Sequence, residues 1–378
     1  MPALFGASSS GAQGVGRRSI PRDYASSTSM SARVRTLAAV VIATFLAGCT
    51  PSAATSTPTA SPTALPTNAP STQPSRGPGP SSPSRFAGRI AFSGSRDASV
   101  GVIYVIDGRD GSINRLTGDD VYLSDRPSWS PDGRSIAFAV ISCQTDPCLN
   151  LIATLDVGTG EIREVARSTS EAKYSGPSWS PNGERLVFWS ARTAASDPFR
   201  IDLMTMKVDG SELARIPIDL PWAARPAWSP DGLWIAFEGS DDAGATGLYV
   251  VHPDGSDLRS VTVENGSVGR PAWSPDGATL AYTSNGEPIE VAPSQFESLL
   301  EIRVVRLDGS GKQSLNAAPD QGSGPTWSPD GALLAYTGSR READRIWLMA
   351  ADGSDPHPLY SDESLIGSYP DWTATTGD

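Results

Sequence analysis

Arg126, Arg225 and Arg270 stand at one place in three copies of a repeated string, each immediately before a proline. A guanidinium grips carboxylate and phosphate groups through paired, charge-assisted hydrogen bonds. Three of them gathered at one mouth would hold an anionic group such as a peptide carboxylate. Local acids such as Asp120 and Asp125 offer the competing reading, in which each arginine is simply paired. Tyr122, Tyr174, Trp189 and Trp222 fall in the segments around these arginines. Arginine mixed with large aromatics is the usual composition of binding hot spots. The expected binding rim is therefore Arg126, Arg225, Arg270, Trp222, Tyr174 and Trp189.

Catalytic sets are hard to find beside them. No G-x-S-x-G nucleophile turn occurs, and the chain holds only two histidines, His252 and His357. Neither stands where it would work with a serine. A phosphate-binding loop, a dinucleotide fingerprint and an H-E-x-x-H pair are all missing. Acidic pairs such as Asp119-Asp120 and Asp241-Asp242 read as solvated loop faces, and no glycosidase-type carboxylate pair stands out. The expectation is a chain that binds rather than catalyses, with no catalytic residues, no metal and no cofactor. Cys143 and Cys148 lie in ISCQTDPC, and in an oxidising compartment so close a pair reads as a disulfide closing a short loop. Two thiolates could instead begin a metal site, but further ligands are scarce.

The elements that must position these residues repeat. P-x-W-S-P-[DN]-G begins at Pro127, Pro177, Pro226, Pro271 and Pro325, and a truncated copy, Pro370-Asp371-Trp372, comes last. Each full copy leads into a short apolar strand ending in an aromatic, such as Ile136-Ala137-Phe138 or Leu280-Ala281-Tyr282. Ile90-Ala91-Phe92 is a copy of that strand with no tryptophan motif before it. A third strand with an Asp-Gly-type turn follows, as in LYVVHPDGS from Leu248, and then a short fourth strand. Four strands per unit joined by tight turns describe a propeller blade. The expected fold is all-β, a six-bladed β-propeller of four-stranded antiparallel blades. Its C-terminal inner strand, at Trp372, pairs with the first N-terminal blade and so leaves no open edge. The repeat tryptophans are expected between blades as core residues, with the small residue before each of them at the crowded axis. Loops between blades and between strands two and three (117–126, 189–200, 217–225 and 283–300) vary in length and share one face, where binding normally resides.

Composition sorts the chain into segments. Residues 1–85 hold seven arginines against one acid, for a charge of +6, and the remainder carries −18. So acidic a domain repels nucleic acid and anionic lipid, which are discarded as partners. Residues 1–29 are an extension, and Met30 is a candidate translation start. Residues 30–49 combine Arg33 and Arg35 with an apolar run from Leu37 to Leu46, too short to span a bilayer and suited to a signal peptide. Residues 50–85 are almost entirely Pro, Ser, Thr and Ala, a disordered tether. Residues 86–378 form the propeller.

Two resemblances add to this reading. Leu46-Ala47-Gly48-Cys49 resembles the bacterial lipobox, which implies cleavage before Cys49, lipidation of its sulfur and an exported domain anchored to the membrane. The repeats, as in WSPDG from Trp228, Ile235-Ala236-Phe237 and LYVVHPDGS from Leu248, resemble the TolB-like propeller family, whose pattern is W-S-P-D-G, I-A-F and then I-Y-V-M-D-x-D-G, over residues 86–378. The α/β domain that precedes the propeller in TolB is replaced here by the tether. That resemblance implies a monomeric module of the cell envelope that binds a protein or peptide in its funnel. The alternative is a propeller enzyme, a hydrolase or lyase, acting there on an envelope glycan or peptide.

Overall fold

The computed structural model describes residues 85–96, 101–118, 124–142, 149–192, 200–264, 268–292, 295–315, 321–340 and 343–374. Cys49, the segments before residue 85, Tyr122, Cys143 and Cys148 lie outside the described residues. Every regular element among the described residues is a strand. No helix among them is long and apolar enough to cross a membrane.

The strands follow the sequence repeat. β1 (Arg89–Ser95), β2 (Val102–Asp107) and β3 (Ile113–Arg115) precede the first tryptophan motif. That motif ends β4 (Ser124–Trp129), followed by β5 (Ser135–Ser142), β6 (Leu149–Asp156) and β7 (Ile162–Arg167). The second unit is β8 (Ala172–Trp179), β9 (Arg185–Arg192), β10 (Ile201–Lys207) and β11 (Ala214–Arg215). Next come β12 (Trp222–Trp228), β13 (Ile235–Ser240), β14 (Thr246–Val251) and β15 (Arg259–Glu264). Then follow β16 (Val268–Trp273), β17 (Thr279–Ala292), β18 (Gln295–Arg306) and β19 (Gln313–Ser314). The last set is β20 (Gln321–Trp327), β21 (Leu333–Arg340), β22 (Ala343–Ala350) and β23 (His357–Pro358), with β24 (Ile366–Thr373) at the end.

Sheet orders are β4-β5-β6-β7, β16-β17-β18-β19, β20-β21-β22-β23 and β24-β1-β2-β3. Strands β8 to β15 share one sheet, because a single parallel pair, Ile201 with Trp222, links β10 to β12. All other pairs are antiparallel. In the sheet that joins the two ends of the chain, Trp372 of β24 lies opposite Ile90 of β1.

Alternation along the second strand of each unit explains how the sheets stack. Successive residues point to opposite faces. Ile90 and Phe92 pack with Ile346 and Leu348 of β22, whereas Ala91 between them packs with Trp129, Ile136 and Phe138. The same division recurs where Ala236 meets Leu280 and Tyr282 of the following sheet. Large residues on one face thus fill the space left by alanine on the next. The aromatics Phe92, Phe138, Phe188, Phe237 and Tyr282 are fully buried. Each contributes about 1.5–3 kcal/mol by leaving water.

The turn after each tryptophan is locked by its own serine. Ser130 Oγ donates to Asp132 at 2.6 Å and accepts from Ser135 N at 2.9 Å, while Gly133 N donates to Ser130 O at 2.9 Å. Ser229, Ser274 and Ser328 repeat the hydroxyl-to-aspartate bond at 2.5–2.6 Å, and Ser180 bonds Asn182. The serine bond is the main cause that holds Asp132, Asp231, Asp276 and Asp330 below the ordinary carboxylate range.

One expected loop is a strand pair. Segment 283–300 does not loop out, because β17 and β18 pair from Thr279 opposite Arg306 out to Ala292 opposite Gln295. Pairing satisfies backbone groups that a loop of this length would leave to water, and Ile289, Val291 and Phe296 have the residue types that favour strands.

Candidate functional site

All six copies of the tryptophan motif line one cavity of about 430 Å³. Its wall is built by a bulge that recurs at the X-Pro dipeptide of each innermost strand. Arg126-Pro127 faces the single residue Phe138, because the register skips between Asp125 and Ser128. The same skip puts Gly176-Pro177 opposite Phe188, Arg225-Pro226 opposite Phe237 and Arg270-Pro271 opposite Tyr282. Gly324-Pro325 faces Tyr336 and Tyr369-Pro370 faces Phe92 in the remaining two. Proline suits a bulge because it has no N–H to give to the ladder, and the bulge re-aims the preceding side chain.

That preceding residue is left-handed in every copy. Its φ is 54° at Arg126, 62° at Gly176, 53° at Arg225, 56° at Arg270, 61° at Gly324 and 56° at Tyr369. Glycine adopts this region without penalty, whereas a residue with a Cβ is uncommon there. Arginine three times and tyrosine once, at strained positions facing a cavity, is a pattern expected where side chains serve a ligand. A Cβ on Gly176 would come within 2.9 Å of Trp189 Nε1, so that glycine makes room for the indole, whereas one on Gly324 would meet Arg270 Cδ only at an ordinary contact distance of 3.6 Å.

The three arginines are not equivalent. Arg225 is ion-paired through its NH1 with the buried carboxylate of Glu238. This is the local pairing, although the acid comes from β13. Arg126 and Arg270 converge instead on Tyr369, their guanidinium carbons lying 5.3 and 4.7 Å from the centre of its ring. Arg270 donates from NH1 to Ser323 Oγ at 2.9 Å and from NH2 to the Tyr369 hydroxyl at 3.2 Å. No carboxylate contacts Arg270 among the described residues.

The expected rim aromatics are placed differently. Tyr174, in β8, is buried and meets the Phe188 ring edge-on at 5.1 Å. Trp189, in β9, is buried too, its indole against the wall at Gly176. Both lie in the core rather than on the rim, because β8 already begins at Ala172, ahead of Pro177, and β9 runs on to Arg192, past Phe188. Trp222 is half-buried at the start of β12.

Asp371 is the residue sequence reasoning passed over. It occupies the small-residue position held elsewhere by Ser128, Ser178, Ala227, Ala272 and Thr326, and it lines the cavity. Its Oδ2 accepts Trp129 N at 2.7 Å. It is half-buried, and desolvation pushes its carboxyl up to about 7 against the backbone donors Trp129 N and Trp372 N. The repeat tryptophans bridge sheets, since Trp179, Trp273 and Trp327 donate from Nε1 to Ser128 O, Ala227 O and Ala272 O at 3.0–3.3 Å. His252 stacks on Trp234 at 3.9 Å and places Nδ1 2.6 Å from Leu233 O. His357 sits on β23 beside Asp355. Among the described residues, no group of three or more His, Cys, Asp or Glu side chains could hold a metal ion.

Antiparallel sheets that stack face to face and turn one shared motif onto a common cavity define a β-propeller. Residues 81–375 match the TolB beta propeller domain, and the chain belongs to that family. The crystal structure of TolB from Acinetobacter baumannii superimposes with a TM-score of 0.60 at 19% identity, covering 76% of this chain and 67% of that one. A stretch of 163 residues, 41% of this chain, is 26% identical to an uncharacterized peptidase, YuxL, of Bacillus subtilis. It spans only 21% of that relative's length. A puromycin hydrolase mutant complexed with PGG shares the fold with a TM-score of 0.50 at 14% identity, over 73% of this chain and 47% of that one. These matches correct the expectation that the chain is not an enzyme. A sequence relative is itself described as a peptidase, so a missing nucleophile motif does not exclude catalysis.

Proposed function

We propose that this chain is an exported propeller, lipidated at Cys49 and held from the membrane by the 50–85 tether, whose cavity binds an anionic group of an envelope protein or peptide. In this reading the strands form six four-stranded blades, with β8–β11 and β12–β15 counted as two, and β24 closes the ring onto β1. The observation that carries the binding role is Arg270. Its charge is met by two neutral hydroxyls and an aromatic face, in a left-handed conformation that costs about 1–2 kcal/mol relative to glycine. A carboxylate or phosphate entering the cavity would supply the missing counter-charge. Arg126 lies over the ring of the same tyrosine. Arg225, tied to Glu238, holds the wall rather than the ligand.

The test is capture from an envelope extract with the full chain as bait, read by mass spectrometry and repeated with Arg270→Gln. A partner held by the wild type and lost by the variant supports the reading; equal capture by both removes it. The match to a peptidase favours a second reading, in which the bound peptide is a substrate. Shortened peptides in the same experiment, formed with the wild type alone, would select it.

A further inference from the structure

The cavity holds a second charge besides Arg270, of the opposite sign. Asp371 stands on β24 in the layer otherwise formed by Ser128, Ser178, Ala227, Ala272 and Thr326, and it lines the cavity. Its structural duty is small. Oδ2 accepts Trp129 N at 2.7 Å, and at the corresponding place Ser178 Oγ accepts Trp228 N at 3.3 Å. Where the layer carries Ala227 or Ala272, the side chain offers no acceptor. Neutral residues therefore suffice for the wall, and a carboxylate adds only its second oxygen and its charge. That charge is costly here, since desolvation in the wall disfavours the ionised form. Among the described residues the polar partners of Asp371 are the backbone donors Trp129 N and Trp372 N, and none is a cation. A carboxylate has about four lone-pair sites, so it can accept further bonds.

Arg270 is the complementary case. Ser323 Oγ and the hydroxyl and ring of Tyr369 meet its guanidinium, and no carboxylate does so among the described residues. Tyr369 precedes Asp371 by two residues on β24, so the two positions are at most about 7 Å apart, the reach of two extended peptide residues. An anchored guanidinium and an anchored carboxylate thus line one cavity of about 430 Å³ without pairing with each other. Its size suits a small molecule, for which sites run to roughly 300–1,000 Å³. In so confined a site each charge attracts its opposite more strongly than in water. We infer that the cavity is bipolar and takes a zwitterion, a short peptide with both ends free, whose ammonium goes to Asp371 and whose carboxylate goes to Arg270. The carboxylate half of this inference rests on the function proposed above.

The experiment equilibrates the full chain, at about pH 7.5, with pools of random dipeptides that have both ends free, an acetylated amine or an amidated carboxylate. Retained peptides are measured by mass spectrometry. At that pH much of the Asp371 carboxyl is ionised and much of the ligand amine is protonated. The wild type should retain the free pool over the acetylated one by about tenfold or more, the loss of a charge-assisted hydrogen bond. Asp371→Asn and Asp371→Ser both keep an oxygen for Trp129 N. Each should erase the preference for a free amine and keep the preference for a free carboxylate, and Arg270→Gln should do the reverse. Equal retention of the free and acetylated pools by the wild type, or a free-amine preference that survives in both Asp371 variants, overturns the inference. A free-carboxylate preference beside either result leaves the function proposed above standing. A wild type that prefers the free amine but not the free carboxylate removes that function and the zwitterion with it, as does retention of no pool.

Discussion

Replacing Asp371 with asparagine removes the one carboxylate among the six positions that precede the repeat tryptophans. Burial raises its carboxyl from 3.8 to about 7 in the folded chain. The unfolded chain therefore ionises this group from about pH 4, while the folded chain keeps its proton until about pH 7. Because the folded pKa is the higher, the carboxyl is neutral in both states below pH 4 and costs no stability there. Between pH 4 and 7 the unfolded state is favoured increasingly, and above pH 7 the cost is constant. Three pH units at about 1.4 kcal/mol each put its upper size at about 4 kcal/mol. Asp371→Asn stays neutral throughout and keeps one oxygen to accept Trp129 N. Urea unfolding followed by tryptophan fluorescence at pH 4.5 and 8 reads the difference between variant and wild type, so that other titrating groups cancel. The variant should gain stability on the wild type by about 2–4 kcal/mol between the two pH values. A difference that does not change with pH would refute the assignment of a desolvated carboxyl at this position.

Other substitutions separate wall from ligand contacts. Arg225→Ala leaves Glu238 buried without its partner and should cost about 3 kcal/mol in chemical denaturation, whereas Arg270→Ala should leave the midpoint nearly unmoved. Tyr369→Gly relieves a left-handed residue and should leave the melting temperature unchanged or higher while partner capture falls. Deleting residues 366–378 strips β24 from β1 and should abolish a single cooperative melting transition; an unchanged transition would contradict the closed ring. Acid should unfold the protein through its turn aspartates. Their folded values lie below the unfolded ones, so the stability they supply is present above about pH 4 and lost as pH falls further. The double variant Asp132→Asn, Asp276→Asn should flatten that loss in a pH-dependent denaturation series.

The strand plan was legible because the repeat encodes it twice, once in the tryptophan turn and again in the Ile-Ala-Phe alternation. Even the pairing of β24 with β1 could be read, from a second-strand copy without its tryptophan motif at one end and a tryptophan copy alone at the other. The bulge was less visible. Its signal was present in Gly176 and Gly324, since glycine at two of six equivalent positions points to a positive φ that the other four must share. A proline inside a central strand points the same way. Which arginine meets an acid was not legible, because Glu238 lies 13 residues from Arg225 and becomes its partner only through the pairing of β12 with β13. Tyr174 and Trp189 were assigned to the rim because strand ends are set by tertiary pairing, which continues β8 and β9 past the segment that turn residues delimit. Asp371 was hidden by the truncation of its motif, where an acid in the small-residue position looked like sequence drift.

The most direct measurement of the cavity's role compares a pool of random peptides bearing free C-terminal carboxylates with the same pool amidated, each equilibrated with the full chain. The free-acid pool supplies a carboxylate for Arg270 and Arg126, the two guanidiniums that lie over the ring of Tyr369. Retention of free-acid peptides over amidated ones by the wild type, and loss of that preference by roughly tenfold or more in Arg270→Gln, is the predicted result. Equal retention of both pools, or a preference that survives Arg270→Gln, would contradict an anion-binding cavity.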